Sequence, residues 1–220
     1  MKSSALTLAA TAAFFLSAVP SLAATVIFDD FTIEQIAADA PFPGAPTSSS
    51  VVFNDGERIL TVDNTASVGN PTSATRLEVA EGSLSFSNND RATGVGTLTY
   101  TNVGDISVGA NPFFLFDVGF FDGVAQFFAT AVDTLGGEST FSEILQAGFD
   151  PQLFFAEFTG NADFNSLSTL SFAISTTGGQ ISVDGSLNSI SISAIPLPAG
   201  GLLLIAGLGG LAALRRKKRA

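Results

Sequence analysis

The sequence has no cysteine, no histidine and no tryptophan, and a single tyrosine among its 220 residues. Without cysteine there is neither a disulfide nor a thiol nucleophile, so burial alone must hold the fold together. Without histidine a His-based triad and the ordinary zinc and haem sites are excluded. The near absence of Trp and Tyr removes the rings that most often stack on sugars while offering a polar handle. Positive charge is scarce too. Of nine Lys and Arg, Lys2 stands at the start and Arg215, Arg216, Lys217, Lys218 and Arg219 at the end. Residues 24–194 keep Arg58, Arg76 and Arg91 against all 20 Asp and Glu, a net charge of −17. Such a body repels phosphates, which argues against DNA or RNA as a partner.

The two ends read as addresses. Residues 1–23 carry a basic start, an apolar stretch from Ala5 to Val19, a helix-breaking Pro20 and small residues at Ser21 and Ala23. That is the layout of a secretory signal peptide, with cleavage expected between Ala23 and Ala24. At the other end, Ile195 to Leu214 is 20 residues without a charge, roughly 30 Å if helical, which matches a bilayer core. Pro196 and Pro198 cannot sit inside a helix, so a regular span starts near Pro198 or Ala199 and is short. The basic tail from Arg215 to Arg219 holds that end in the cytoplasm and leaves the acidic body outside.

The run Ile195-Pro196-Leu197-Pro198-Ala199, followed by an apolar span and an Arg-rich terminus, resembles the bacterial PEP-CTERM sorting signal, in particular its Val-Pro-Leu-Pro-Ala variety. Ile195 replaces the commoner Val. The resemblance implies export, a transient stay in the inner membrane through the C-terminal helix, and processing by an exosortase, a membrane-embedded cysteine protease-like enzyme of Gram-negative bacteria that make extracellular polysaccharide. It covers about 26 of the 220 residues and concerns sorting alone. A permanent single-pass anchor is the rival reading.

The body between, residues 24–194, has the composition of one all-β domain. Phe occurs 21 times in the chain, Ser, Thr and Val are frequent, and Gly or Asn-Asp clusters recur about every ten residues. Leu84 and Phe86 alternate with serines, as do Leu170 and Phe172, and Ile190 and Ile192, each pattern that of a half-buried strand. "NPFFLFDVG", "VAQFFATAV" and "QLFFAEF" are apolar at nearly every position and read as central strands covered on both sides, or as strands with one face at a binding surface. "APFPGAPTSSS" (residues 40–50) reads as an exposed loop, and "TFSEILQAGF" as a place for a short helical turn. Two packed antiparallel sheets would bury this pattern, so the expected fold is a single antiparallel β-sandwich of jelly-roll type. "VIFDDF" at the start and "ISVDGSLNSISI" at the end are similar to the first and last strands of carbohydrate-binding-module and galactose-binding-like jelly rolls, which implies that the two are neighbours in the sandwich.

Chemistry is thinly marked. No nucleophile-elbow spacing appears. Asp117 with Asp122, or Glu143 with Glu157, are the pairs to consider for glycoside hydrolysis, and solvated loop charges are the plainer account of them. Asp29, Asp30 and Asp184 would converge on a Ca²⁺ ion if the first and last strands pair. The expectation is therefore a non-enzymatic exported protein of the cell envelope or extracellular matrix, structural or adhesive within exopolysaccharide or biofilm. A carbohydrate-binding module is the alternative, and a glycosidase-like enzyme the third reading. Mass spectrometry of the C-terminal peptide in membrane and secreted fractions tests the address. A secreted chain ending between Ile195 and Ala199 is the expected outcome, whereas a membrane-held chain still ending RRKKRA would reject removal.

Overall fold

Alternation of apolar and polar residues becomes a sheet wherever one face can be buried, and here two such faces meet. The computed structural model describes residues 25–40, 44–67, 74–89, 91–146, 152–176 and 181–195. The signal peptide, the cleavage residues Ala23 and Ala24, the sorting motif from Pro196 to Ala199 and the basic tail lie outside the described residues. Among the described residues no helix is long and apolar enough to cross a membrane.

The first sheet is built from β1 (Thr25–Asp29), β2 (Gln35–Ala40), β5 (Thr75–Ala80), β6 (Ser83–Asn88), β8 (Pro112–Phe121), β11 (Gln152–Phe154) and β14 (Asp184–Ala194). Its order is β11-β8-β14-β6-β5-β2, with β1 also against β14. β14 is long enough to hold β6 along Asp184–Leu187 and β1 along Ile190–Ser193 on the same edge. The first and last strands therefore pair, antiparallel. The second sheet runs β12 (Thr159–Gly160), β10 (Glu138–Leu145), β9 (Ala125–Asp133), β13 (Leu167–Ser175), β7 (Ala92–Gly104), β4 (Gly56–Ser67) and β3 (Thr47–Phe53). All the pairings in both sheets are antiparallel. The result is the jelly-roll-like sandwich that the alternation calls for.

The inner faces interlock through phenylalanines. Phe114 and Phe116 of β8 each meet Phe172 of β13 edge-on, with centroids 5.3 Å apart in both cases. Phe116 also meets Phe127 of β9 at 5.7 Å. Leu60, Val62, Leu98, Leu170, Val79 and Ile190 fill the gaps. Two glycines are required by position. Gly82 and Glu81 both have positive φ (75° and 52°), the pair of left-handed residues that a tight two-residue hairpin needs between β5 and β6. At Gly96 a Cβ would lie 2.7 Å from the Phe86 ring, so the absence of a side chain there lets the ring lie against the sheet.

Three segments differ from the sequence expectation. "TSSS" of the proposed loop is part of β3, an edge strand whose outward serines meet water; Ser48 shares a hydrogen bond with Thr61 of β4 at 2.8 Å. "TFSEIL" is the second half of β10 rather than a helical turn, because its partner β9 supplies a full register from Glu138 to Leu145. "QLFFAEF" is not a central strand. Gln152–Phe154 is a short edge strand that runs into a 3-10 turn over Phe155–Glu157. Its apolar run serves ring contacts on two sides: Phe154 on Phe113 at 5.0 Å, and Phe155 on Phe114 and Phe164 at 4.8 and 4.6 Å.

Candidate functional site

Of the three carboxylates expected to gather round a cation, one is the centre of a different structure. Asp29 ends β1 and is 2% exposed. Arg58, fully buried on the inner side of β4, donates through its Nη1 to Asp29 Oδ2 at 2.9 Å and to Oδ1 at 3.1 Å. The other two nitrogens of the guanidinium donate as well. Nε donates to Gln35 Oε1 at 2.9 Å, and Nη2 to the Ile33 carbonyl. Phe31 and Phe53 flank the cation, with ring centroids 5.7 and 5.9 Å away. On the carboxylate, Oδ1 accepts from the Phe31 amide at 2.8 Å and Oδ2 from the Tyr100 hydroxyl at 2.7 Å. Burial, then the charge of Asp29, push the Tyr100 hydroxyl well above its ordinary pKa, although Arg58 pulls the other way.

The other two do not join Asp29. Asp30 is exposed and accepts from the hydroxyl and amide of Thr32, which hold it below the usual carboxylate range. Asp184 lies six residues along β14 from Ile190, the partner of Asp29, a separation on the order of 20 Å. Its amide donates to Asp122 Oδ1 at 2.7 Å, while its own Oδ1 is shielded and accepts no hydrogen bond among the described residues. No group of three acidic side chains with metal-ligand proximity occurs among the described residues.

Of the remaining named carboxylates, Asp122 accepts from the Asp184 amide and Glu143 is exposed on β10. Asp117 is exposed opposite Ser189, and Glu157 accepts from the Phe154 amide at 2.8 Å within its own turn. Asp133 organises the loops at the end of the second sheet. It accepts from the amides of Leu135, Gly137 and Asp163 at 2.8–2.9 Å, and the bonds from Asp163 and Gly137 hold its carboxyl below the usual range. These are structural uses of acid groups in turns.

What the sequence reading missed is the outer face of the second sheet. Since Leu98 and Tyr100 of β7 face the core, Thr97, Thr99 and Thr101 face away from it. The register carries this across the sheet. One rank reads Thr140, Thr130, Ser171, Thr99, Ile59, Ser50, and the next Ser142, Phe128, Ala173, Thr97, Thr61, Ser48. Neighbouring hydroxyls are therefore spaced about 4.8 Å across strands and about 6.8 Å along them. Thr99 and Ser171 share a hydrogen bond at 3.1 Å, which orients that pair. Phe128 stands among them, 37% exposed. The signal available in the sequence was "TLTYT", a threonine at every second position.

No family model matches the chain, and no curated protein is similar to it. Among solved structures it is similar to an agarase, AgWH50C, at 12% identity and a TM-score of 0.47, covering 78% of this chain and 25% of that one. It is similar to a family 11 carbohydrate-binding module from Clostridium thermocellum in complex with a β-1,3-1,4-mixed-linked tetrasaccharide, at 13% identity and a TM-score of 0.34, covering 72% and 94% of the two chains. A CBM4 structure gives 8% identity and a TM-score of 0.33, with 63% and 87% covered. The chain spans about a quarter of the length of the agarase. Likenesses at this level carry no argument about chemistry, and the architecture rests on the strand pairing itself.

Two measurements test the buried network. Arg58→Met leaves the Asp29 carboxylate buried without its cation and should lower unfolding stability by about 3–5 kcal/mol in urea; adding Asp29→Asn should restore part of it. A loss under about 1 kcal/mol in the single variant would contradict the assignment. The second is a pH titration. Because Tyr100 holds its proton more tightly folded than unfolded, its contribution is complete below about pH 10 and falls as the pH rises above that. Tyr100→Phe should flatten this alkaline fall.

Proposed function

We propose that this chain is an exported, non-enzymatic β-sandwich protein of the cell envelope or extracellular matrix, which lies against polysaccharide through the outer face of its second sheet. The observation that carries the reading is the pair of Ser/Thr ranks around Phe128. A hydroxyl both donates and accepts, as a sugar hydroxyl does, so a face of this kind matches a polyol surface without needing charge. Phe128 adds an apolar ring against which the axial C–H face of a sugar packs. Each such contact is weak. A polymer meets many at once, and bridging waters add to them.

Delivery is the second part of the proposal. The resemblance of residues 195–220 to an exosortase-processed sorting signal supports passage through the inner membrane to the cell surface. Within the pairs Asp117–Asp122 and Glu143–Glu157, Asp117 is exposed, Asp122 accepts from the Asp184 amide and Glu157 closes its own turn, which favours a binding role over a catalytic one.

Affinity electrophoresis through the exopolysaccharide of the producing cells tests the binding face. The protein should be retarded, and Thr97→Val with Thr99→Val and Phe128→Ala should remove most of the retardation. Each lost hydroxyl contact is worth about 0.5–1.5 kcal/mol, so the combined loss is on the order of tenfold or more. Valine keeps the shape and strand preference of threonine, so the fold is preserved. Equal retardation of the variant, or none of the parent protein, would reject the reading.

A further inference from the structure

A carboxylate sits where the pattern of the second sheet demands an apolar side chain. On β10, Phe141 and Leu145 occupy core-facing positions, and Glu143 lies between them on the same side of the strand. It makes no hydrogen bond or ion pair with a described residue. The space beside it is not filled by protein. Between the sheets is a cavity of about 100 Å³. Phe86, Leu98, Phe116, Phe127, Phe172 and Ile174 form its walls. The core-side positions of β8 lead from Phe116 through Val118 to Phe121, because the register shift at Gly119 turns Phe121 onto Gly185 and leaves Phe120 opposite the outward Ser186. Glu143, exposed on β10, is the one charged residue of a lining that is otherwise apolar apart from Gln152 and Ser186.

Two glycines shape its walls. The missing side chains of Gly96 on β7 and Gly185 on β14 are replaced by the rings of Phe86 and Phe121, to which an added Cβ would come within 2.7 and 2.8 Å. Phe121 lies along its own sheet, Phe86 crosses from the first sheet to the second, and both rings wall the cavity. An enclosed cavity of about 150 Å³ lined by Leu, Ile and Phe binds benzene, and the apolar walls here offer the same kind of contact.

We propose that this inter-sheet cavity is a ligand site for a small apolar group, of benzyl or short alkyl size, that carries a cationic head at Glu143. Size and lining select the apolar part. Charge selects the head: Arg58, Arg76 and Arg91 are the cations of the body, and none of them lines the cavity. An anionic head would meet Glu143 uncompensated, within a body that is already strongly negative. The site is independent of the hydroxyl face, which lies on the opposite side of the second sheet.

The plainer account of Glu143 is protection of an edge. Among the described residues, only Ser139 and Thr140 of β10 pair with β12, so Glu143 lies where no described strand adds to β10 on that side, and an inward-pointing charge there discourages strand addition. The two accounts differ in a measurable way. Benzylamine, benzyl alcohol and benzoate are titrated into the protein as recovered from its producing cells, with binding followed by saturation-transfer NMR. The expected affinity order is amine, alcohol, acid, with about fivefold between neighbours. Glu143→Lys changes an exposed side chain and should reverse the order, whereas a preference that came only from the overall negative charge would persist. Val118→Phe narrows the mouth and should weaken all three. An unchanged order in Glu143→Lys, or no saturable binding of any of the three by the parent protein, would overturn the proposal. Should Val118→Phe fail to fold, the order in Glu143→Lys decides alone.

Discussion

The ion pair between Arg58 and Asp29 is the constraint on which the closed sandwich depends. Its two members come from opposite sheets, Asp29 from the end of β1 and Arg58 from the start of β4, and both are removed from water. Two charges taken out of water lose several kcal/mol of hydration each, which their attraction recovers only if every remaining donor and acceptor is also matched. That requirement shapes the neighbourhood. The residues between β1 and β2 curl round the guanidinium so that the Ile33 carbonyl and the Phe31 amide reach it and its partner, and Phe31 takes a left-handed φ of 54° to do so. Gln35 accepts from Arg58 Nε and donates to the carbonyls of Ser49 and Arg58, which ties the start of β2 to both β3 and β4. A small error in any of these positions would leave a buried charge unmatched. The pair therefore contributes more to the uniqueness of the arrangement than to its net stability.

Phenylalanine supplies the stability that disulfides supply in many exported domains. Phe brings a large apolar area and no polar atom to satisfy, so it packs between sheets without a partner for a hydroxyl or an indole N–H. The one tyrosine in the chain confirms the rule from the other side. Tyr100 is buried, and its hydroxyl has found the carboxylate of Asp29. Three edge-on ring pairs bridge the sheets directly, Phe114 and Phe116 to Phe172, and Phe28 to Tyr100 at 4.8 Å. A core of rings in such contacts leaves gaps that no ring can fill, and the cavity beside Glu143 is one of them.

The sandwich was legible in the sequence wherever one face of a strand is buried and the other wet. Leu84 and Phe86, Leu170 and Phe172, and Ile190 with Ile192 all lie in the core as their alternation requires. The pairing of the first strand with the last was legible too, from their likeness to other jelly rolls. Edge strands were not. β3 is rich in serine and follows three prolines, and β11 opens an apolar run behind Gln152, because an edge answers to water and to neighbouring loops rather than to a core. The destiny of Asp29 was hidden for a different reason. A carboxylate has the same letter whether it binds a cation from solution or one from its own chain. The clue lay in Arg58, one of three cations in the body, at the head of the inward series Arg58, Leu60, Val62. The hydroxyl face was written as plainly as the core, in "TLTYT", but polarity on an outer face is the ordinary condition of a strand. Only the register across β10, β9, β13, β7 and β4 turns separate threonines into ranks.

That same register bears on which polymers such a face would meet. The acidic residues of the second sheet keep to its margins: Glu57 and Glu138 stand in the rank of Thr101, Asp63 near the far end of β4, and Asp133 at the end of β9. The central ranks carry hydroxyls, an alanine, an isoleucine and a ring, and no charge. A body of net charge −17 raises a negative potential around this neutral patch, and that potential extends about 8 Å at physiological ionic strength. On the proposed reading, a neutral polysaccharide would approach without opposition and find matching hydroxyls. A uronate-bearing one is repelled before contact unless a divalent cation intervenes. Selection between the two classes then follows from where the charges are absent rather than from any residue that recognises a particular sugar, which is consistent with a chain that has given up tryptophan and histidine altogether.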